Sequence, residues 1–454
     1  MSEKDFPSRV ETMAQAERPN DSGCPEESLL SQTVPCTSEE TLSPPTTLSE
    51  TAGNNLNNPV TIKNWLVWVM AVACGLTVAN LFYIQPLLAD MAHNFAVSTN
   101  QIGFTAMLGQ LGYAAGLLLI VPLGDKYNQR SLIVSMLCIL AVALTTMACA
   151  QTIVQLSIAS FAVGLTTIIP QLIILFAVSL TPSNKRGRIA GTLLSGVLVG
   201  ILMARTMSGF VSEHSSWRVI YWIATAIAIS LAVSLYFLLP RDYSLKRKMS
   251  YPQLLRSLWG LLRSEPVLQE INIFGALVFG SFNALWVTLS FFLSTPPYHY
   301  GSEVAGLFGL TGIVSAFIAP ATGKFADRRD ARLPSGAAIV AMLCSFVLIW
   351  LTGQWLISLV FGVIILDIGV QATQVSCQAR LYGLNPAARS RFNTIYMILF
   401  FIGGSLGSLL GTLGWSIAKW NGVCGVACFL LIVALSFYIL NSKRMRHWKT
   451  MLSQ

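Results

Sequence analysis

The chain has 454 residues, of which 54% are hydrophobic and only 11% are charged. Soluble proteins carry charges on about a quarter of their residues, so this composition excludes an ordinary soluble protein and indicates a membrane protein. The net charge is +9, but the basic residues lie in short loops between apolar runs, which indicates membrane topology rather than nucleic-acid binding.

Residues 1–58 form a polar segment that is predicted to be a disordered cytoplasmic tail. The segment contains ten of the 20 acidic residues of the chain and only three basic ones. It is rich in Ser, Thr, Pro and Asn, so it cannot bury enough apolar surface to fold. It has neither the charge pattern of a signal peptide nor that of a transit peptide.

From residue 64 onward, long apolar runs alternate with short polar breaks. About 20 apolar residues cross a bilayer as a helix, because lipid offers no partner to an unpaired backbone group. The sequence therefore predicts an all-α membrane protein with twelve spanning helices. They cover approximately 64–88, 101–123, 131–150, 153–180, 188–211, 218–239, 269–294, 302–322, 334–352, 355–379, 391–414 and 419–441.

Lysine and arginine are concentrated in alternate loops. The opposite loops contain only Arg218 and Lys419. This asymmetry predicts that both termini are cytoplasmic, and the even number of helices agrees. We expect a plasma-membrane protein that ends in a basic cytoplasmic tail, 443–454.

The longest loop, 241–268, contains the sequence "YPQLLRSLWGLLR". Its leucines recur on one helical face beside two arginines, which predicts an interfacial helix on the inner leaflet. A solvated linker is the alternative.

The nine cysteines are scattered and form no C-x-x-C or Cys/His cluster. We interpret them as small core residues with reduced thiols. The sequence predicts no metal site and no cofactor.

The second half of the chain repeats the first at an offset of about two hundred residues. "PLGDKYNQR" aligns with "GKFADRRDAR", so that Asp125 corresponds to Asp327. Asn80 corresponds to Asn283, and Trp217 to Trp420, in the same order. The repeat predicts two pseudo-symmetric six-helix bundles, 59–240 and 269–442.

"GKFADRR" resembles the loop signature of the major facilitator superfamily, and "ANLFYIQPLL" is similar to a phrase in its drug:proton antiporter-like members. Helix 5 resembles the antiporter signature at Gly191, Gly200, Ala204-Arg205 and Ser208-Gly209. The resemblance implies the major facilitator fold and a cytoplasmic gate at the two charged loops. There the charges would latch one conformation, and setting the membrane topology is the alternative role. The gate residues are Asp125, Lys126, Arg130, Gly323, Asp327, Arg328 and Arg332.

Members of this superfamily line a central cavity with helices 1, 4, 7 and 10. In this chain those helices carry polar side chains, whereas helices 3, 6, 9 and 12 have almost no strongly polar residue in mid-span. Polar groups at membrane depth are costly unless they face a cavity or a partner. The predicted pathway residues on these four helices are Asn80, Gln85, Gln171, Asn283, Asp367, Gln371 and Gln374.

Asp367 is the only carboxylate well inside a predicted span, and Arg205 is the only basic residue there. A charge at the bilayer centre costs about 2.5–3.5 kcal/mol on insertion scales. Asp367 is therefore a candidate proton carrier, with a structural ion pair or hydrogen bond as the alternative. Arg205 could snorkel to the interface, attract an anion in the cavity or pair with Asp367.

Small residues recur every four positions on helices 5 and 11. This spacing lets helices approach closely. We interpret the two stripes as sliding contacts between the halves, with tight packing without motion as the alternative. The glycines concerned are Gly196, Gly200, Gly403, Gly407 and Gly411.

Together these features predict a secondary transporter that exports a small organic molecule, driven by protons, through alternating access. The expected partners are the substrate, protons and lipid, without nucleic acid, and the expected state is a monomer. An uptake symporter or facilitator and a non-transporting sensor are the alternatives. No phosphate-binding loop, nucleophile–base pair or ATPase signature supports an enzyme or a primary pump.

Overall fold

The structure is a computed structural model, and it describes residues 63–182, 185–240, 251–315, 332–384 and 389–452. The helices of the first half are α1 Asn64–Phe95, α2 Thr99–Gly124, α3 Gln129–Ala148, α4 Ile153–Ser179, α5 Arg186–His214 and α6 Trp217–Leu238. A linker helix, Tyr251–Ser264, follows.

The second half begins with α7 Pro266–Ser294, α8 Ser302–Ser315, α9 Arg332–Thr352 and α10 Leu356–Tyr382. The last helical segment, Arg389–Leu452, is divided into α11 and α12 by non-helical backbone at Ala418 and Lys419. These twelve elements correspond to the twelve predicted spans. The tail 1–58 and the first part of the linker, up to residue 250, lie outside the described residues.

Two of the helices are interrupted beside a proline. α1 breaks at Tyr83, between the segments Asn64–Phe82 and Ile84–Phe95, because Pro86 has no N–H to donate to the carbonyl one turn earlier. α4 breaks between Thr166 and Ile169, immediately before Pro170. Both breaks place irregular backbone near polar side chains.

The two halves pack their helices in the same pairs. In the first half α1 packs on α5, α2 on α4, and α3 on α6. In the second half α7 packs on α11, α8 on α10, and α9 on α12. The corresponding pairs agree with the internal repeat that the sequence shows.

The glycine stripes lie inside each half, so the prediction that they are sliding contacts between the halves is wrong. Gly196 and Gly200 contact the backbone of α1, where a Cβ on Gly75 would lie 2.6 Å from the carbonyl oxygen of Gly196. In the second half, Gly403, Gly407 and Gly411 contact Ala276, Gly280 and Ala284 of α7. Small residues allow the helices of one half to meet at backbone distance.

The halves meet mainly where α2 packs on α11 and α5 packs on α8, and α7 also contacts α1, α2 and α5. We call the end of the bundle that carries the loops 96–98, 215–216 and 295–301 the non-basic end, and the opposite end the basic end. At the non-basic end Ser302 Oγ donates to the carbonyl of Gly209 at 3.2 Å, and Asn100 Nδ2 donates to Ser416 Oγ at 3.1 Å. Among the described residues, the hydrogen bonds and ring contacts between the halves lie from mid-helix to this end.

The first charged loop forms a short 3-10 turn, Val121–Asp125, before α3. Lys126 is exposed. Arg130 donates to the carbonyl of Tyr236 in α6 and lies 5.0 Å from the centre of that ring. In this structure Arg130 therefore holds two helices of the first half together.

The second charged loop, with Gly323, Asp327 and Arg328, lies outside the described residues, and Arg332 begins α9. The predicted latch between the two loops stays a prediction.

Candidate functional site

Two amide side chains lie at the break in α1. Asn80 and Gln85 are 6% and 2% exposed. Asn80 Nδ2 donates to the carbonyl oxygen of Thr77 at 2.9 Å. Gln85 Oε1 accepts a 2.8 Å hydrogen bond from Arg205 Nε of α5. The break in α1 thus places the Gln85 amide against Arg205, the arginine that lies deep in a predicted span.

Arg205 is 3% exposed and is held by aromatic rings as well as by Gln85. Its guanidinium carbon lies 3.6 Å from the ring centre of Trp286 in α7 and 5.3 Å from that of Phe82 in α1. Cation–π contacts of this kind contribute about 2 kcal/mol or more when they are desolvated. The guanidinium therefore joins α5 to α1 and to α7 of the other half, rather than reaching for the membrane interface.

Asp367 of α10 is 5% exposed and is bonded to α8. Thr311 Oγ1 lies 2.7 Å from Asp367 Oδ2 and also 2.7 Å from the carbonyl oxygen of Phe308. A hydroxyl has one proton, so it can donate to only one of these two oxygens at a time. It donates to Asp367 when the carboxylate is ionised. When the carboxyl is protonated, it can accept from Asp367 and donate to Phe308 instead.

Arg205 and Asp367 are neighbours without a direct ion pair. No contact within 4.0 Å joins their charged groups in the described part of the chain. Both border the same face of α8. A Cβ on Gly309 would lie 2.8 Å from Arg205 Cβ, and a Cβ on Gly312 would lie 3.8 Å from Asp367 Oδ2.

A single amide pair joins α2 to α7 across the two halves. Gln110 Nε2 donates to Asn283 Oδ1 at 3.2 Å, and Asn283 Nδ2 donates to the carbonyl of Phe279 at 3.0 Å. Asn283 is a predicted pathway residue, whereas sequence reasoning missed Gln110. A signal was present, because Gln110 is the only amide in the interior of its apolar run.

The other predicted pathway residues are only partly buried. Gln171 of α4 directly follows Pro170 and is partly buried. Gln371 and Gln374 follow Asp367 along α10 at partly buried positions. Within the described part of the chain, no hydrogen bond joins them to Arg205 or Asp367.

A second buried charge pair lies nearer the basic end. Arg380 Nη2 of α10 lies 3.2 Å from Glu270 Oε1 of α7, and the two side chains are 10% and 6% exposed. Glu270 is the second residue of the predicted span 269–294, and Arg380 directly follows the predicted span 355–379. The burial becomes visible only when α7 and α10 are packed together.

The described residues contain no group of three or more His, Cys, Asp and Glu side chains that could hold a metal ion. The seven described cysteines are free thiols. The carboxyl of Asp367 can exchange a proton, and the buried amides can form hydrogen bonds with a polar solute.

Comparison with known proteins identifies relatives along most of the chain. The model of the Major Facilitator Superfamily matches residues 68–407. The uncharacterized transporter YgaY of Escherichia coli O157:H7 is 36% identical over 82% of this chain and 94% of its own length. A protein of Haemophilus influenzae named "Probable sugar efflux transporter" is 22% identical over 85% of this chain and 94% of its own length.

The fold also matches solved structures. A bacterial homologue of the human lysosomal transporter Spinster, in an inward-facing and unoccupied conformation, superposes with a TM-score of 0.69. The alignment covers 84% of this chain and 96% of that protein at 17% identity. At this identity the likeness establishes the fold alone.

Proposed function

The chain belongs to the Major Facilitator Superfamily, and from that premise we propose that it exports a small organic molecule in exchange for protons. The carrier is secondary and works by alternating access between two six-helix halves, 59–240 and 269–442. The observation that carries the proposal is Asp367, a buried carboxylate bonded to Thr311 within range of the charge of Arg205.

The contacts between the halves support alternating access. They lie from mid-helix to the non-basic end, where α5 meets α8 and α2 meets α11. With the basic loops in the cytoplasm, this arrangement corresponds to a state closed to the outside and directed inward. The opposite state requires these contacts to separate while the basic ends approach.

Proton exchange at Asp367 changes two things at once. The ionised carboxylate balances the fixed charge of Arg205, so the pair is neutral overall. The protonated carboxyl leaves the charge of Arg205 uncompensated and lets Thr311 turn its proton to Phe308 in α8. Because α8 forms the contact with α5, the protonation state can bias the contact that closes the non-basic end.

The relatives support transport of a small solute. YgaY is named a transporter, and the Haemophilus protein is named as acting in sugar efflux. The buried amides on α1, α2 and α7 suit a cargo with hydrogen-bonding groups, and Trp286 and Phe82 offer apolar faces to its carbon skeleton. A drug or a polar metabolite fits these surroundings.

The test is export of a panel of dyes and antimicrobials from cells that lack their own pumps, followed by flux in proteoliposomes with an imposed proton gradient. Asp367→Asn keeps the shape of the side chain but cannot exchange a proton. We expect this variant to reach the membrane and to lose proton-driven export. The matched control is Glu303→Gln in α8, a partly exposed carboxylate, which should export normally.

Proton-driven export by Asp367→Asn at the rate of Glu303→Gln would remove Asp367 from the mechanism. The direction of the pH change in the vesicle lumen separates antiport from symport. Absence of flux for every compound that binds would instead identify a sensor.

A further inference from the structure

A small cavity lies beside the Gln110–Asn283 bond. Its volume is about 10 Å³, and side chains of α1, α2, α3, α4 and α7 line it. A buried water needs about 10–15 Å³ by this measure, together with two to four polar partners. The cavity therefore has room for one water-sized molecule.

Three buried amides that line the cavity each have one atom without a hydrogen-bond partner among the described residues. These atoms are Asn80 Oδ1, Gln85 Nε2 and Gln110 Oε1. Gln110 is 4% exposed, and the other two are as deeply buried. A buried polar atom without a hydrogen-bond partner destabilises the folded state, so three such atoms on residues that line one cavity require an explanation.

The hydrogen-bonding partners of each amide determine which of its two polar atoms has no partner. An amide can be turned to exchange its oxygen and nitrogen, so the assignment must rest on groups with a single role. Arg205 Nε can only donate; Gln85 must therefore accept through Oε1, which leaves its Nε2. The Thr77 carbonyl can only accept, so Asn80 must donate through Nδ2, which leaves its Oδ1.

The third amide is fixed through the other half of the protein. The Phe279 carbonyl can only accept, so Asn283 donates to it and presents Oδ1 to Gln110. Gln110 must then donate through Nε2, which leaves its Oε1. The cavity thus offers two acceptors and one donor.

We propose that this cavity is a binding site for one water molecule. The water donates its two protons to Asn80 Oδ1 and Gln110 Oε1 and accepts one hydrogen bond from Gln85 Nε2. Each of the three unpartnered atoms then has a hydrogen-bond partner. A bare metal cation does not fit, because the hydrogens of the Gln85 amide nitrogen carry positive partial charge.

The water completes a chain of hydrogen bonds from Arg205 through Gln85 and Gln110 to Asn283. That chain crosses from the first half to the second. If the halves separate during transport, the Gln110–Asn283 bond opens and Gln110 is no longer held in position. The water site then belongs to one conformation; this consequence rests on the proposed function, whereas the site itself does not.

The first test is a crystal structure of the full-length protein grown in a lipid mesophase, at a resolution that shows other buried waters. We expect one density peak at hydrogen-bond distance, about 2.7–3.2 Å, from all three named atoms. A blank cavity in such a map would overturn the proposal. So would a peak at the shorter distances of a metal ion.

The second test is a double-mutant cycle on thermal unfolding in detergent. Asn80→Leu and Gln110→Met each remove one acceptor, and the structure gives no bond between the two side chains. If a shared water links them, the double variant should lose less in Tm than the sum of the single losses, by about 2 °C or more. Additive losses would contradict the shared water.

The matched control pairs Asn80→Leu with Thr105→Val. The Thr105 hydroxyl is equally buried and bonds to Ser157 at 2.7 Å, but it does not line the cavity. We expect additive losses for this pair. If Asn80→Leu is coupled to Thr105→Val as strongly as to Gln110→Met, the coupling does not pass through the cavity. That result would also overturn the proposal. Neither test depends on transport, so its result is independent of the proposed function.

Discussion

Replacing Gly306 with alanine should shift the protein away from the conformation described here. Gly306 lies in α8 where that helix crosses α5, and a Cβ at this position would lie 2.6 Å from the carbonyl oxygen of Arg205. Ordinary carbon–oxygen contacts are about 3.3–3.6 Å, so the helices must separate by roughly 0.7–1.0 Å. Since α5 and α8 belong to different halves, the strain falls on the closed non-basic end.

The same displacement would break neighbouring hydrogen bonds. Ser302 Oγ lies 3.2 Å from the Gly209 carbonyl, and Thr206 Oγ1 lies 3.3 Å from the Gly306 carbonyl. Overpacking of this kind costs about 1–3 kcal/mol. If only one conformation bears the cost, its population relative to the other falls by about 5- to 150-fold.

Pulsed EPR measures this shift directly. Nitroxides at Val154→Cys and Ile357→Cys, two exposed side chains in the first turns of α4 and α10, would report the separation of the halves at the non-basic end, with the exposed native cysteines replaced. We expect Gly306→Ala to move the distribution to longer distances. The control is Gly191→Ala on α5, where a Cβ meets nothing within 4 Å. An unchanged distribution in folded Gly306→Ala, equal to that of the control, would refute the reasoning.

Two further substitutions address the charged centre. Arg205→Lys keeps the charge but loses the hydrogen bond from Nε to Gln85 and the stacking on Trp286. It should lower the Tm, measured by nanoDSF, and reduce dye efflux by about tenfold or more. Wild-type values for both would show that the planar guanidinium group is not required. Thr311→Val removes the hydroxyl that contacts Asp367 and should make export less sensitive to external pH. Thr311→Ser keeps a hydroxyl and should show the wild-type dependence of export on pH. A wild-type pH dependence in Thr311→Val would exclude the proposed reorientation of the hydroxyl.

The architecture was predictable because membrane spans carry a strong compositional signal. Twelve apolar runs and the alignment of Asp125 with Asp327 were sufficient for the fold and the internal repeat. The glycine stripes show the limit of this reasoning. The spacing of Gly403 and Gly407 indicates a close helix contact, but it does not identify the partner, and the partner is α7 of the same half.

The candidate site was only partly predictable for a related reason. Asp367 and Arg205 were visible because charges are rare in apolar runs. Thr311 gave no signal, since a threonine in a membrane helix usually bonds its own backbone. Its second contact exists only because α8 lies against α10. Likewise, the relation between Arg205 and Asp367 depends on the relative depth of two helices, which one sequence does not provide.

The central claim is that the bundle closes at one end while it opens at the other, and that protonation of Asp367 controls which end is closed. The most direct measurement is pulsed EPR on two label pairs in lipid nanodiscs, Val154/Ile357 at the non-basic end and Ser179/Gln378 at the basic end, in acid and in alkaline buffer. We predict reciprocal changes, so that one distance lengthens as the other shortens, and no such change with pH in Asp367→Asn. Distances that stay fixed, that change in the same direction at both ends, or that respond to pH equally in Asp367→Asn would contradict the account.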